Sequence, residues 1–477
     1  MLHSKHFQTH QAAILMWSLL VAPAWAMRSE GSALQSQSPT VSELRAEYAK
    51  RFLEPAPHMA LAKYFCDKGN RLQAFYILET ARRTRFEEDE FNKAFALAFR
   101  GSPPPDYSQA AEVSLLNAHA GDPNKVETIV KLGNLYIFRE DWAKAKEYIS
   151  KAIRLQPEEF ENTDALAQVF RHEGKPEEGN RLLREYSHKY PETLNGYQLR
   201  IAEVSEKDPA KAKLLLVEAS KKFPQEGGIV FELGAIHQRE GKLQEAEKHF
   251  VRAAQMSPDS VNIQAWVGRF FYKVKKDDRR ALDYYLNAYL LDPHAYETEY
   301  VESRIPKINA LLAKADYEQQ RKSGVPLTKI LEDPNPGVVY LAVEEMSAKW
   351  DPAYLKLLLD LMGHDDGGIR SYATQIIKEK ADRSFDETLR ALLNDKDLRK
   401  RGLAAYIAVS LWKQESFGVM RSMLKEESQL LRFDAVSALI MQGGADGRAI
   451  VIEHLPREPD PTLRKMIESA VTSREPE

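Results

Sequence analysis

Five prolines recur along the chain at a nearly fixed interval: Pro157, Pro191, Pro224, Pro258 and Pro293 stand 34, 33, 34 and 35 residues apart. A period near 34 marks a stack of small helical units, each of which buries its apolar face only against its neighbours. Such a stack presents long surfaces instead of one closed pocket, so the pattern points to holding other molecules ahead of catalysis.

Aligned on their prolines, the units share a residue pattern. The unit ending at Pro157 carries Leu132, Gly133, Tyr136, Ala145, Tyr148 and Ala152; the unit ending at Pro258 repeats it with Leu233, Gly234, His237, Ala246, Phe250 and Ala253. Gly268, Phe271, Ala281, Tyr285 and Ala288 continue it, while the two units between are looser, with Gly179 and Tyr186 where alanine is expected. Small residues at fixed places let two helices approach, and large ones fill the gaps beside them. Gly174 and Gly241 share one register and mark the turn inside each unit, and Asp208-Pro209 reads as an N-cap followed by proline at the first helical position.

This pattern resembles the tetratricopeptide repeat over roughly residues 124–295. The resemblance implies an all-α fold, an α-α superhelix whose first helices line a groove. Its groove positions fall here on Asn134, Phe138, Gln168, Arg171, Tyr197, Ile201, Phe231, Gln238, Arg239, Arg269 and Tyr272, a polar and aromatic mixture suited to an extended peptide or a partner helix. The carboxylate clamp known in some such repeats is not supported: Gly133-Asn134 matches one element, but Lys131 is displaced by one place and Ala165 stands where asparagine is needed. Residues 42–123 read as irregular repeats of the same kind, interrupted by Gly101-Ser-Pro-Pro-Pro105, and 124–302 as the regular array.

A second repeat follows a joint expected at 303–325. Its mark is a short acidic turn, an aliphatic residue, arginine and then a small residue, clearest in Asp365-Asp-Gly-Gly-Ile369-Arg370-Ser-Tyr-Ala373. The arginines Arg370, Arg399, Arg432 and Arg464 fall 29, 33 and 32 residues apart, and an edge copy at Val338 lacks the arginine. Residues 326–477 resemble a HEAT-like array. The acidic residue is expected to cap the second helix of each pair, and the arginines to form a ladder bonding acidic or carbonyl groups of neighbours.

The first 26 residues stand apart. Lys5 precedes the apolar run Ala12–Ala22, and Ala24 and Ala26 form a small-residue cleavage pattern. This reads as a secretory signal peptide, with a flexible leader at 27–41, and places the mature protein in a bacterial periplasm or beyond. The apolar run is shorter than the roughly 20 residues of a membrane span, so no span is expected after cleavage near Ala26. Loss of Lys5 from the 67 basic residues leaves 66 against 70 acidic ones, a net charge of −4, which argues against nucleic acid as partner. Cys66 is the only cysteine, which rules out an internal disulfide and any cysteine-paired zinc site.

Enzyme constellations are missing. There is no His-Glu-x-x-His, nucleophile elbow, phosphate loop or dinucleotide fingerprint. His364-Asp365-Asp366 is the one cluster that invites a metal reading, and Asp is already expected there as a cap. No cofactor or metal is expected. The leading expectation is a non-enzymatic scaffold or adaptor binding a protein or peptide through solenoid grooves, in envelope assembly, secretion or polysaccharide export. The alternatives are a glycan- or peptidoglycan-binding module and a HEAT-type lyase or chaperone.

Overall fold

The computed structural model describes residues 39–84, 86–101, 105, 106, 108–205, 207–295 and 301–472; the expected signal peptide and most of the leader lie outside them. Among the described residues the fold is all-α. It divides into two compact units, one formed by Pro105–Val267 and the other by the helices before Pro104 together with Gly268 onward.

The chain begins with α1 (Val41–Lys50), α2 (Pro55–Asp67), α3 (Arg71–Arg83) and α4 (Glu88–Phe95). Thr40 and Glu43 form a reciprocal capping box at α1, and Asn70 caps α3 through the Gln73 N–H. The positive-φ Gly101 ends the segment.

The Pro105–Val267 unit opens with α5 (Gln109–Gly121) and continues as helix pairs: α6 (Val126–Phe138) with α7 (Trp142–Leu155), α8 (Phe160–His172) with α9 (Pro176–Lys189), α10 (Leu194–Val204) with α11 (Pro209–Lys222), and α12 (Gly227–Arg239) with α13 (Leu243–Met256). α14 (Val261–Phe270) crosses the unit boundary. Ala145, Ala152, Ala167, Ala246 and Ala253 are fully buried. Close approach is the reason for the small residues: a Cβ on Gly133 would sit 2.3 Å from Ile149 Cδ1, and one on Gly179 would sit 2.7 Å from the Ala167 carbonyl oxygen. Gly179 therefore marks a tighter approach of α8 and α9 than alanine allows. Asp208 caps α11 through the Lys211 N–H at 3.0 Å, with Pro209 at the first position.

The turn inside each pair needs a left-handed residue. Gly174 and Gly241 both take φ +75°, and the next N–H closes a bond to the carbonyl five residues back, Lys175 to Phe170 and Lys242 to His237. Glu140 takes the same place in the first pair with φ 57°, and Asp141 N–H bonds to Tyr136. A side chain there carries a cost that glycine does not. Glu140→Gly is expected to raise the stability of this unit by about 0.5–1 kcal/mol, read from urea unfolding followed at Trp142; an unchanged or lower midpoint would remove the strain argument.

The second unit continues with α15 (Asp278–Leu291), α16 (Ile305–Lys322), α17 (Leu327–Ile330), α18 (Pro336–Ala348), α19 (Tyr354–Leu361), α20 (Gly367–Lys380), α21 (Asp386–Leu392), α22 (Leu398–Trp412), α23 (Phe417–Met423), α24 (Gln429–Gln442), α25 (Gly444–His454) and α26 (Pro461–Thr472). One apolar core runs through it from Ala313 to Ile467 and takes in Leu53. The segment 303–325, expected as a joint, holds the continuous helix α16. Ile305, Ile308 and Ala313 are buried there, and Arg321 reaches Glu345 of α18 with two bonds at 3.1 Å.

Residues 42–123, expected to be one run of irregular repeats, divide at the Gly101-to-Pro105 interruption. α5 packs on α6, while α1–α3 pack against helices from the far end of the chain. Phe75 of α3 meets Tyr289 of α15 edge-on at 4.7 Å, and Arg82 pairs with Glu302 at 2.6 Å. Ser428 Oγ donates to the Ala49 carbonyl at 2.7 Å, Leu53 N–H donates to Gln429 Oε1 at 3.0 Å, and Phe52 lies 5.3 Å from Phe433. Arg45 forks onto Asp365, with one bond at 2.7 Å. The sequence pattern carried no sign of this closure, because each of these contacts joins residues hundreds of positions apart.

Candidate functional site

Of the eleven residues expected to line a groove, ten lie on the first helices of the pairs and Tyr272 on the π-helical turn Phe271–Lys275 that follows α14; the structure sorts them by exposure. Asn134, Phe138, Gln238 and Arg239 are exposed, with Phe138 at 64%. Gln168, Arg171 and Phe231 are half-buried. Tyr197 and Ile201 are 1% and 4% exposed and belong to the core of the α10–α11 pair with Leu216 and Ala219. They are core residues and not groove contacts. The reason is local: α10 is a looser copy of the pattern, and Ile201 occupies the register where Gly133 and Gly234 stand. Arg269 and Tyr272 are half-buried and belong to the second unit.

Two carboxyls on the same helices were not among the expected groove residues. Glu232 of α12 is half-buried, and burial pushes its carboxyl up to about 7 against the pull of Arg239. Asp164 of α8 is also raised by burial, and it accepts a hydrogen bond of 2.8 Å from Gln168. The register could have found Glu232: it stands two places before Gly234, as the exposed Lys131 does before Gly133. Phe231 packs edge-on to Trp266 at 6.4 Å beside it.

In the second unit the repeated arginines make one recurring contact, to the turn before their own helix, and only Arg399 and Arg432 also reach an acid of a neighbouring unit as the expected ladder required. Arg370 donates to the carbonyls of His364 and Asp365, at 2.7 and 2.9 Å; Arg432 donates to those of Glu426 and Glu427, at 2.8 and 2.9 Å; Arg464 donates to that of Glu458 at 3.1 Å. Each guanidinium reaches back five or six residues and ties its helix to the preceding turn. Arg399 departs from this, pairing with Asp397 and with Asp365 at 2.8 Å. Arg432 and Glu458 form a buried pair, with His454 Nε2 on the second carboxylate oxygen at 2.8 Å. Asp366, Asp397 and Asp460 cap α20, α22 and α26 as expected, whereas Ser428 and not Glu427 caps α24.

The residues that invited chemistry are engaged structurally. His364 Nδ1 accepts from the Asp366 N–H at 2.9 Å, Asp365 holds Arg45 and Arg399, and Asp366 is a cap. In the basic run Lys396–Arg401, Arg399 is 5% exposed and Arg401 pairs with Glu426. Gly443 and Gly447 lie where a Cβ would meet the Leu439 carbonyl at 2.6 Å, a packed helix-to-helix turn. Cys66 is a half-exposed free thiol whose pKa burial raises. Among the described residues no helix is long and apolar enough to cross a membrane.

Residues 126–159, which span α6 and α7, match the tetratricopeptide repeat family. Among solved structures, Pseudomonas aeruginosa pilF is 17% identical, covering 55% of this chain and 99% of its own at a TM-score of 0.28. PilW, described as a widely conserved type IV pilus biogenesis factor, is 18% identical over 45% of this chain and 99% of its own, with a TM-score of 0.30. A human IFIT1 dimer with PPP-AAAA is 15% identical over 83% of this chain and 94% of its own, also at 0.30. TM-scores this low carry no argument about what the chain holds. The chain is an all-α helical-repeat protein that is similar, at residues 126–159, to the tetratricopeptide repeat.

Proposed function

We propose that this chain is a non-enzymatic scaffold or adaptor, exported into a bacterial periplasm or beyond, that holds a protein or peptide along the first helices of its tetratricopeptide-like segment. Envelope assembly, secretion or polysaccharide export is the setting we favour, and residues 326–477 read as a HEAT-like array. One observation carries the reading: Asn134, Phe138, Gln238 and Arg239 are exposed on first helices whose opposite faces are packed away. A mixture of apolar ring, amide and guanidinium, held on rigid helices, suits recognition of an extended chain.

A photo-crosslinking amino acid placed at Phe138 or Gln238, and at the exposed second-helix positions Arg154 and Lys248 as controls, tests this in cells. Discrete protein adducts are expected from the first-helix positions and not from the controls. Equal labelling at all four positions, or none at any, would overturn the reading.

A further inference from the structure

We propose that a cleft in the second unit binds a small amphiphilic carboxylate, an acid with an apolar body of phenylalkanoate size. The cleft is lined by Phe52, Thr80, Arg83, Thr84, Phe433 and Met466 and has a volume of about 250 Å³. Both of its walls belong to the same compact unit, although they come from opposite ends of the sequence.

The lining sets the ligand chemistry. Phe52 and Phe433, with ring centres 5.3 Å apart, and the Met466 thioether make an apolar floor, which favours an aromatic or aliphatic body. The two threonines add little polarity. Thr80 Oγ1 donates to the Tyr76 carbonyl at 2.9 Å and Thr84 Oγ1 to the Thr80 carbonyl at 2.7 Å, so both hydroxyl hydrogens are used within α3. Arg83 is the one charged group of the lining, and it is exposed. Its neighbour Arg82 is committed to Glu79 and Glu302. Arg83 makes no ion pair among the described residues, so its five N–H donors remain for a ligand at the rim. One apolar floor and one unpaired guanidinium complement a body with a single anionic head.

Size narrows the class further. Pockets for drug-sized ligands run from roughly 300 to 1,000 Å³, so this cleft takes something smaller. An occupant would touch α3 on one side and α24 and α26 on the other, and so tie the N-terminal helices to the C-terminal ones. Ligand that binds only the closed unit then stabilises it in proportion to the logarithm of its concentration.

Calorimetric titration of the full chain with 4-phenylbutyrate, and with the neutral 4-phenylbutyramide, tests the proposal. Saturable binding of the acid is expected at roughly 0.1–1 mM, together with a rise in the melting temperature of the second unit. Arg83→Gln, an exposed change that leaves the core alone, should weaken the acid roughly tenfold and leave the amide unaffected. Phe433→Trp, which fills the cleft, should abolish binding of both. No saturable binding to the unaltered chain overturns the proposal. Equal affinity for acid and amide, or an Arg83→Gln variant that binds the acid as tightly as before, overturns it as well.

Discussion

Arg432→Ala is expected to destabilise the second unit by about 3–5 kcal/mol, the range measured when one partner of a buried ion pair is removed. Arg432 is 5% exposed and Glu458 0%. The guanidinium satisfies two backbone carbonyls as well as the carboxylate, so its loss takes a donor from three buried acceptors at once and removes the counter-charge of Glu458. Burial alone pushes the Glu458 carboxyl up, but hydrogen bonds from His454, Arg432 and the Asp460 N–H outweigh it and hold the pKa below the ordinary value. Removing Arg432 takes away part of that compensation. Adding Glu458→Gln to the alanine variant should return part of the loss, because no unpaired charge then remains. Denaturant unfolding followed at Trp350 and Trp412 reads both variants. A cost under about 1 kcal/mol for Arg432→Ala would mean that the pair is not the clamp its burial indicates.

The second large effect concerns pH. Asp434 of α24 is 6% exposed, and burial pushes its carboxyl from 3.8 up to about 7, against the opposing pull of Arg370 and a hydrogen bond with Tyr406. It sits tight against α22, where a Cβ on Gly402 would lie 2.0 Å from its carboxylate oxygen. A folded-state pKa above the unfolded one means that the folded chain binds the proton more tightly. Its contribution to stability is therefore complete below about pH 4 and is lost as pH rises to about 7, by on the order of 4 kcal/mol. His58 of α2 acts in the opposite sense. Burial lowers its pKa from 6.5 to about 4, so stability falls as pH drops through that window. The two slopes oppose each other between about pH 4 and 6.5. Asp434→Asn removes one of them while keeping an acceptor for Tyr406. The variant is expected to be more stable than the parent at pH 8 and to lose the advantage towards pH 4. An identical dependence on pH in the two proteins would show that Asp434 does not carry this charge.

The parts of the molecule that repeat were the parts that could be read from sequence. Proline spacing and the Gly/Ala positions located α6–α15, because helices that pack at a fixed distance need small residues at fixed offsets. The acid-to-arginine motif located the second helices of the C-terminal pairs, and the recurring contact to the preceding turn follows from one guanidinium per period. Tyr197 and Ile201 misled because a repeat register gives the mean orientation of a position, and α10 departs from it where Ile201 replaces the usual small residue. Glu232 shares its register with the exposed Lys131, so its place was legible in the repeat, but its burial, which happens once, was not. The cleft and the closure of α1–α3 escaped for the same reason: each depends on contacts made once, between segments with no shared pattern.

That closure also sets an order of events. Leu53 and its hydrogen-bond partner Gln429 are 376 residues apart. At synthesis rates of about 5–20 residues per second, α1 and α2 leave the ribosome some 20–75 s before their partner helix exists. Residues 105–267, whose contacts are local, can fold in that interval. The first helices meanwhile carry uncovered apolar faces through most of translation, which makes them the natural stretch for a holding chaperone to grip and the last part of the chain to settle.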